Sequence, residues 1–412
     1  MSTFVPFKAF RPTKDKAKAV ASRPYDVLNR EEALQESQGN PLSFYHVIKP
    51  EIDFPDHFNP YAPEIYQKGK ENFDRLVGEG VLVRDSAEQF YVYQLNMNGH
   101  VQTGLVGCCS IEDYFNNVIR KHELTRPDKE VDRINHIRTS KLHYEPVLFS
   151  YPQVEAIDRE VEAVMAQQPE YDFSTEDGIQ HKLWVIENPQ LIRRISQLFE
   201  HEVPTIYIAD GHHRTSAGAQ VGRELSNGHL NGSKASYFLA VLFPDNQLKI
   251  QDYNRVVKDL NGHSADSFLQ EIGQRFDLEK CGSAYRPEAL HNFGLYLTGQ
   301  WYKMTAKAGT YDESPIGQLD VTILTKQVLE PILNVEDQRT DKRIEFVGGI
   351  RGLGELERRV DSGEMAVAFA MYPVSMRQMI NIADHGLIMP PKVTWFEPKL
   401  RSGLFVYSLE EN

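Results

Sequence analysis

Apolar residues recur along this chain in two rhythms, one suited to strands and one to helices. Residues 89–97 and 101–109 are apolar and aromatic runs separated by Asn98-Gly99. That pair accepts the positive φ angles of a two-residue turn, so a β-hairpin is predicted. Residues 63–76 carry Ile65, Tyr66, Phe73 and Leu76 near one face at helical spacing. Pro63 suits the first helical position, where its missing N–H costs nothing. Further strands are expected over 4–9, 117–120 and 146–151, and helices over 129–142, 154–166 and 189–201. In the centre, 205–209 is a short run of β-branched and aromatic residues, Asp210-Gly211 reads as a turn, and 214–225 as a helix ended by Asn227-Gly228. Strands are then predicted over 236–243 and 248–257 and a helix over 319–333; residues 342–409 alternate strands with helices from Arg351 and Ser375. Strands and helices mix without a regular βαβ period, which favours α+β over a doubly wound sheet.

Composition narrows the class. The 412 residues are 41% apolar and 25% charged, ordinary globular values and enough chain for two packed domains. No apolar stretch approaches the length of a membrane-spanning helix, and the first residues lack the charged and apolar regions of a signal peptide. Cys108, Cys109 and Cys281 form neither a disulfide framework nor a zinc pattern, so a reduced, cytoplasmic compartment is expected. A net charge of −13 argues against a broad nucleic-acid-binding face, while a pocket for one nucleotide needs only two or three cations.

The chemistry concentrates in residues 206–215, Ile-Tyr-Ile-Ala-Asp-Gly-His-His-Arg-Thr. A strand ends in a glycine turn and runs directly into a helix, whose start offers unpaired N–H groups and the positive end of a dipole. That is an anion site by geometry. His212, His213 and Arg214 can donate to phosphate oxygens, and Gly211 lets the backbone approach a ligand. The plainer alternative is a strand-to-helix corner capped by Asp210, with histidines on the surface. A zinc site is disfavoured, because neighbours in a turn rarely point at one ion and no third and fourth ligand follow at ordinary spacing. Upstream, Arg120-Lys121-His122-Glu123-Leu124-Thr125-Arg126-Pro127 places a carboxylate among cations just after a strand, suited to a general base beside an anion. Its alternative is a helix entry capped by Thr125. Residues 348–354 contain the glycines of a dinucleotide fingerprint without its βαβ frame, so they read as a loop into a helix. Residues 389–403 are dense in prolines, aromatics and cations, an ordered lid or a structural strap.

Taken in order, these motifs resemble the domain-of-unknown-function family 1015. The resemblance rests on Arg23-Pro24-Tyr25-Asp26-Val27, the stretch from Asn40-Pro41 to His46, His122-Glu123-Leu124-Thr125, Ile208 to Thr215, and Met389-Pro390-Pro391-Lys392 followed by Phe396-Glu397-Pro398-Lys399-Leu400. It spans nearly the whole chain. The family is described as similar to free serine kinases, which share the fold of ParB N-terminal domains and sulfiredoxin. In those proteins an Asp-Gly-His-His-Arg-like turn grips nucleotide phosphates and an upstream glutamate acts on the serine hydroxyl. The resemblance therefore implies an α+β, ParB/sulfiredoxin-like nucleotide-binding core within a larger mixed α/β chain. Residues 1–260 would form the catalytic domain with an N-terminal elaboration, and 261–412 a C-terminal α/β domain packing on the site.

The implied reaction is transfer of a phosphoryl group from ADP or ATP, with Mg²⁺, to free L-serine or a similar hydroxy amino acid. Asp210, Gly211, His212, His213, Arg214 and Thr215 would bind the nucleotide; Glu123, His212 and His213 would be catalytic; Asp210 would be the Mg²⁺ ligand. Lys392 and Lys399 would reach in over the anion. The chain is much longer than a minimal ParB-like domain and has no evident helix-turn-helix. The competing reading is a ParB-like nucleotide-binding regulator without kinase activity, which needs the phosphate turn but no base. A weaker one is a metal-dependent hydrolase using the two histidines. Neither nucleic acid nor membrane is an expected partner, and a homodimer is left open.

Overall fold

The computed structural model describes residues 1–125, 127–228, 230 and 232–410. It is a mixed α/β protein of two compact units, Met1–Leu248 with Pro398–Asn412, and Lys249–Glu397. The division expected after residue 260 is thus displaced. The run 248–257 is not one strand: only Tyr253–Val257 is extended, inside the second unit. The last residues return to the first unit, where the buried Arg401 guanidinium pairs with Asp177 and donates to Thr175 Oγ1 at 3.1 Å, and Ser402 Oγ donates to Glu145 at 2.9 Å. A buried cation needs a carboxylate partner, and Arg401 finds its partner there.

The first unit is built on a nine-stranded sheet. Its strands are β1 (Phe4–Val5), β2 (Phe90–Met97), β3 (His100–Ser110), β4 (Ile119–Arg120), β5 (Val147–Tyr151), β6 (Tyr171–Ser174), β7 (Gln180–Ile186), β8 (Ile206–Asp210) and β9 (Tyr237–Pro244). They lie in the order β4-β8-β5-β9-β3-β2-β7-β6, with β1 added beside β3. The predicted hairpin joins β2 and β3: Met97 pairs with His100 across Asn98 and Gly99, at φ 53° and 83°. Strands β3, β5 and β9 are buried along nearly their whole length, which is why they read as continuous apolar runs. Close packing reaches the backbone at Gly107, where a Cβ would lie 2.5 Å from the Phe4 ring.

Two pairings are parallel, β8 with β4 and β9 with β5; the others in this sheet are antiparallel. In the β4–β8 pair, Ile119 faces Ile206 and Arg120 faces Tyr207. Both strands therefore end at the same edge of the sheet. The longer helices of this unit are α1 (Pro63–Gly78), α2 (Pro127–Ser140), α3 (Glu155–Met165), α4 (Pro189–Glu202) and α5 (His212–Leu225). Helices α3 and α4 supply Ile157, Val164, Ile195, Leu198 and Phe199 to the main core. Helix α5 starts two residues earlier than its apolar pattern suggests, because Gly211, at φ 93° and ψ 33°, turns the chain directly into it.

The second unit holds a six-stranded, wholly antiparallel sheet of β10 (Tyr253–Val257), β11 (Phe276–Cys281), β12 (Asn292–Leu297), β13 (Gln300–Ala306), β14 (Ile344–Gly348) and β15 (Val367–Ala370), in the order β11-β13-β12-β15-β10-β14. The glycines of 348–354 form a short 3₁₀ turn and a positive-φ residue, Gly352, before the helix Leu353–Asp361, as a loop into a helix should. The helix expected over 319–333 is α-helical only at Asp320–Leu324 and continues as a π-helical turn, Thr325–Leu329.

Asp320 in that unit is 3% exposed. Its Oδ1 accepts the His291 backbone N–H at 2.9 Å, while Oδ2 finds no hydrogen-bond partner among the described residues. Burial pushes the carboxyl up to about 7, against the lowering effect of the His291 N–H. Below an unfolded-state value of about 4 the group is protonated in both states and costs nothing. Above it the unfolded chain ionises first, so this group's stabilisation is lost as pH rises towards 7, by up to about 1.4 kcal/mol per pH unit. Asp320→Asn keeps the acceptor and removes the titration. Its urea midpoint should exceed wild type at pH 8, with the gap closing by pH 4; a gap of equal size at both pH values would contradict this account.

Candidate active site

The parallel pair β4–β8 delivers two loops to one place. Strand β4 ends at Arg120 and hands the chain to Lys121, His122 and Glu123; β8 ends at Asp210 and hands it to Gly211 and His212. A register irregularity between Ile208 and Asp210 adjusts the end of β8 just before the turn. Loops leaving the carboxyl ends of neighbouring strands are where open α/β sheets usually bind ligands. Here the ligand atoms of His122, Glu123 and His212 all lie within 4.8 Å of one another. The two imidazoles meet edge to face, with centroids 4.5 Å apart at 89°.

Helix α5 begins with no side-chain cap. The positive end of its dipole therefore points into the turn with no Gly211 side chain to cap it. His213 and Gly211 are partly exposed, whereas His212 and Arg214 are buried. Burial holds His122 down at about 4, against the raising effects of Asp210 and the Ile208 backbone, to which its ring is hydrogen-bonded. Burial, reinforced by His122, His213 and Lys121, depresses His212 well below the ordinary value. Both rings are therefore neutral at pH 7, and cations must come from elsewhere. Lys121 lies 3.8 Å from the centroid of the Tyr114 ring, and Lys399 Nζ is 3.4 Å from Asp210 Oδ1.

Several expected roles change in the structure. Arg214 does not fork outwards. Its Nη1 donates to the Pro146 carbonyl at 2.8 Å and its Nη2 to Asp210 Oδ2 at 3.2 Å, and the guanidinium lies over Gly211. It clamps the turn from behind. Thr215 directs its hydroxyl to the Gly211 carbonyl at 3.0 Å, inside the helix. Asp210 is a poor candidate for a Mg²⁺ ligand, since its two oxygens each face a cation, Arg214 or Lys399. Burial opposes its ionisation, but those two cations hold the carboxyl below the usual range. Of the two adjacent histidines only His212 is grouped with other residues that could hold a metal ion, and its companions, His122 and Glu123, lie far away in sequence. Lys392 belongs to the second unit, where its carbonyl accepts from Arg255. Arg126 lies outside the described residues.

Other neighbours carried no chemical signal in sequence. Asp26, Glu145 and Tyr25 act electrostatically on Arg214, and the Arg133 guanidinium lies 3.9 Å from the Tyr25 ring centroid. Tyr25 and Asp26 of the Arg-Pro-Tyr-Asp motif thus lie near enough to act on the Arg214 charge, a placement that only the family pattern could have hinted at. Glu130 of α2 accepts from Thr125 Oγ1 at 2.6 Å, from Ser216 Oγ at 2.5 Å and from Gln220. It ties the segment after Glu123 to helix α5.

Fold and site together define a mixed α/β protein with an uncapped helix start facing a histidine–glutamate loop. The sequence profile of a protein family of unknown function, DUF1015, matches residues 4–322, and the chain belongs to that family. No curated protein matches the chain. Among solved structures it is similar to a conserved hypothetical protein from Pyrococcus furiosus, at 12% identity and TM-score 0.36 over 74% of this chain and 95% of that one. It is also similar to a variant of a free serine kinase in complex with AMP, at 10% identity and TM-score 0.36 over 71% and 91%. A third is SbnI with a C-terminal truncation, from Staphylococcus aureus, at 12% identity and TM-score 0.32 over 72% and 85%. At such scores none of these superpositions transfers a residue role to this chain.

The clamp makes a prediction opposite in kind to that of a ligand fork. Arg214→Ala leaves the Pro146 carbonyl and the Asp210 carboxylate without their buried donor, at a cost of about 2–3 kcal/mol. Urea unfolding without any ligand should show that loss. Unchanged unfolding, with a defect only in ligand binding, would return Arg214 to a direct role.

Proposed function

We propose that this chain is a nucleotide-dependent small-molecule kinase, transferring a phosphoryl group from ADP or ATP to the hydroxyl of L-serine or a similar hydroxy amino acid. The observation that carries the reading is the meeting of Glu123 with His212 at the uncapped start of α5. A proton acceptor and an anion-binding helix end stand side by side there, and phosphoryl transfer needs both. The motif resemblance to free serine kinases supplies the nucleotide and the amino acid, and with them a ParB/sulfiredoxin-like core.

In this reading the N–H groups of the first turn of α5 hold the phosphates, and Gly211 allows their close approach. His213, Lys121 and Lys399 supply further donors. The acceptor hydroxyl oxygen attacks the terminal phosphorus, the bond from that phosphorus to the bridging oxygen breaks, and the hydroxyl proton passes to Glu123. The nucleotide leaves one phosphate shorter. Mg²⁺ fits this donor set poorly as a protein-held ion, because it prefers oxygen ligands and two of the three grouped donors are imidazoles. No step is assigned to it.

The test is incubation of the full chain with ADP or ATP, L-serine and Mg²⁺, followed by detection of phosphoserine. Glu123→Gln keeps the shape and removes the proton acceptor, so turnover should fall about 10²–10⁴-fold while nucleotide affinity holds. Wild-type turnover in that variant would end the role of Glu123. Nucleotide binding without product from any hydroxy amino acid would favour the regulator.

A further inference from the structure

We propose that His122, Glu123 and His212 form a binding site for a first-row divalent transition ion of the Zn²⁺ class, and that an ion seated there blocks phosphoryl transfer by engaging Glu123. The inhibitory half rests on the kinase reading; the site itself does not. Two imidazoles and one carboxylate are the donor set such ions favour, and one that Mg²⁺ and Ca²⁺ do not. Their ligand atoms already lie within 4.8 Å of one another. Donors around a zinc ion at about 2.0–2.2 Å must close to roughly 3.3 Å apart. Glu123 is partly exposed and sits on a loop, so its side chain can make most of that closure.

Three further observations point the same way. His212 is 7% exposed, and its Nε2 finds no hydrogen-bond partner among the described residues. Such a buried nitrogen is costly unless something else uses its lone pair or proton. His122 is tied by a hydrogen bond to the backbone of Ile208. Metal-binding histidines commonly spend their second nitrogen on a carbonyl in this way, which sets the ring orientation and tautomer. Asp210, held by Lys399 and Arg214, lies near enough to act electrostatically on His122. Three protein ligands also leave a coordination position open to water or to a phosphate oxygen.

An ion bound through Glu123 draws charge from the carboxylate that the kinase reading uses to accept the hydroxyl proton, and so lowers its basicity. Transition-ion occupancy then weakens proton acceptance by Glu123, and the ion acts as an inhibitor rather than a cofactor. No oxidation or reduction is involved.

The experiment uses the full chain, stripped of metal with a chelator. Zn²⁺ is titrated calorimetrically, and Co²⁺ is added as a spectroscopic probe whose visible bands report nitrogen and oxygen ligation. One equivalent should bind, with visible bands from Co²⁺ and at least about 10-fold weaker binding in His212→Gln and in Glu123→Gln. Glu123 lies on a loop, so its variant reports on the site even if His212→Gln fails to fold; circular dichroism identifies that case. Wild-type binding equal to that of Glu123→Gln, or a preference for Mg²⁺ over Zn²⁺, overturns the site. Phosphoserine formation that is unaffected by a saturating equivalent of Zn²⁺ overturns the inhibition. One-to-one binding in a protein that phosphorylates nothing leaves the site standing and removes the kinase reading, so the two failures are distinguishable.

Discussion

The candidate site depends on the parallel pairing of two short strands. Ile119–Arg120 has only two residues in the sheet, yet by running beside Ile206–Asp210 in the same direction it points two loops at one edge. Had the pair been antiparallel, Glu123 and His212 would leave from opposite ends of the strands. The main core holds this edge in place, since Ile119, Ile206 and Ile208 are all buried in it.

The turn itself is governed by charge balance. A helix start without a side-chain cap leaves donors in need of an acceptor, and a tight glycine turn would be free to rearrange. Arg214 removes that freedom by holding the Pro146 carbonyl and Asp210 together, and Lys399 returns from the far end of the chain to the same carboxylate. The cations that looked like ligand donors in sequence are thus divided. Arg214 belongs to the scaffold, and Lys399 is shared between the scaffold carboxylate and the proposed anion. Burying a guanidinium is costly unless its donors find acceptors; the Pro146 carbonyl and the Asp210 carboxylate take Nη1 and Nη2, while Nε finds no partner among the described residues.

His212 takes on a different character from the surface histidine of the plainer reading, and His122 shares it. Buried and neutral, they can donate or accept but carry no positive charge at pH 7. This shifts the chemistry of the site towards lone-pair binding and away from simple phosphate neutralisation. Glu123 is the residue on which both the proposed proton transfer and the proposed metal ligation rest.

Local sequence was sufficient wherever the determining physics was local. The Asn98-Gly99 hairpin, the helix from Pro63, the strand–glycine–helix corner at Asp210-Gly211 and the loop at 348–354 all follow from backbone preferences or apolar periodicity within a few residues. Even the pairing of Glu123 with the histidine turn was anticipated, though from motif order rather than from any contact rule. Tertiary structure alone decided the inward turn of Arg214, the grouping of His122 with His212, and the part played by Tyr25 and Asp26. It also decided that the chain's last residues belong with its first. These features depend on partners far away in the chain: a side chain's direction is set by which buried group must be satisfied, and that group is known only once the strands have been placed side by side.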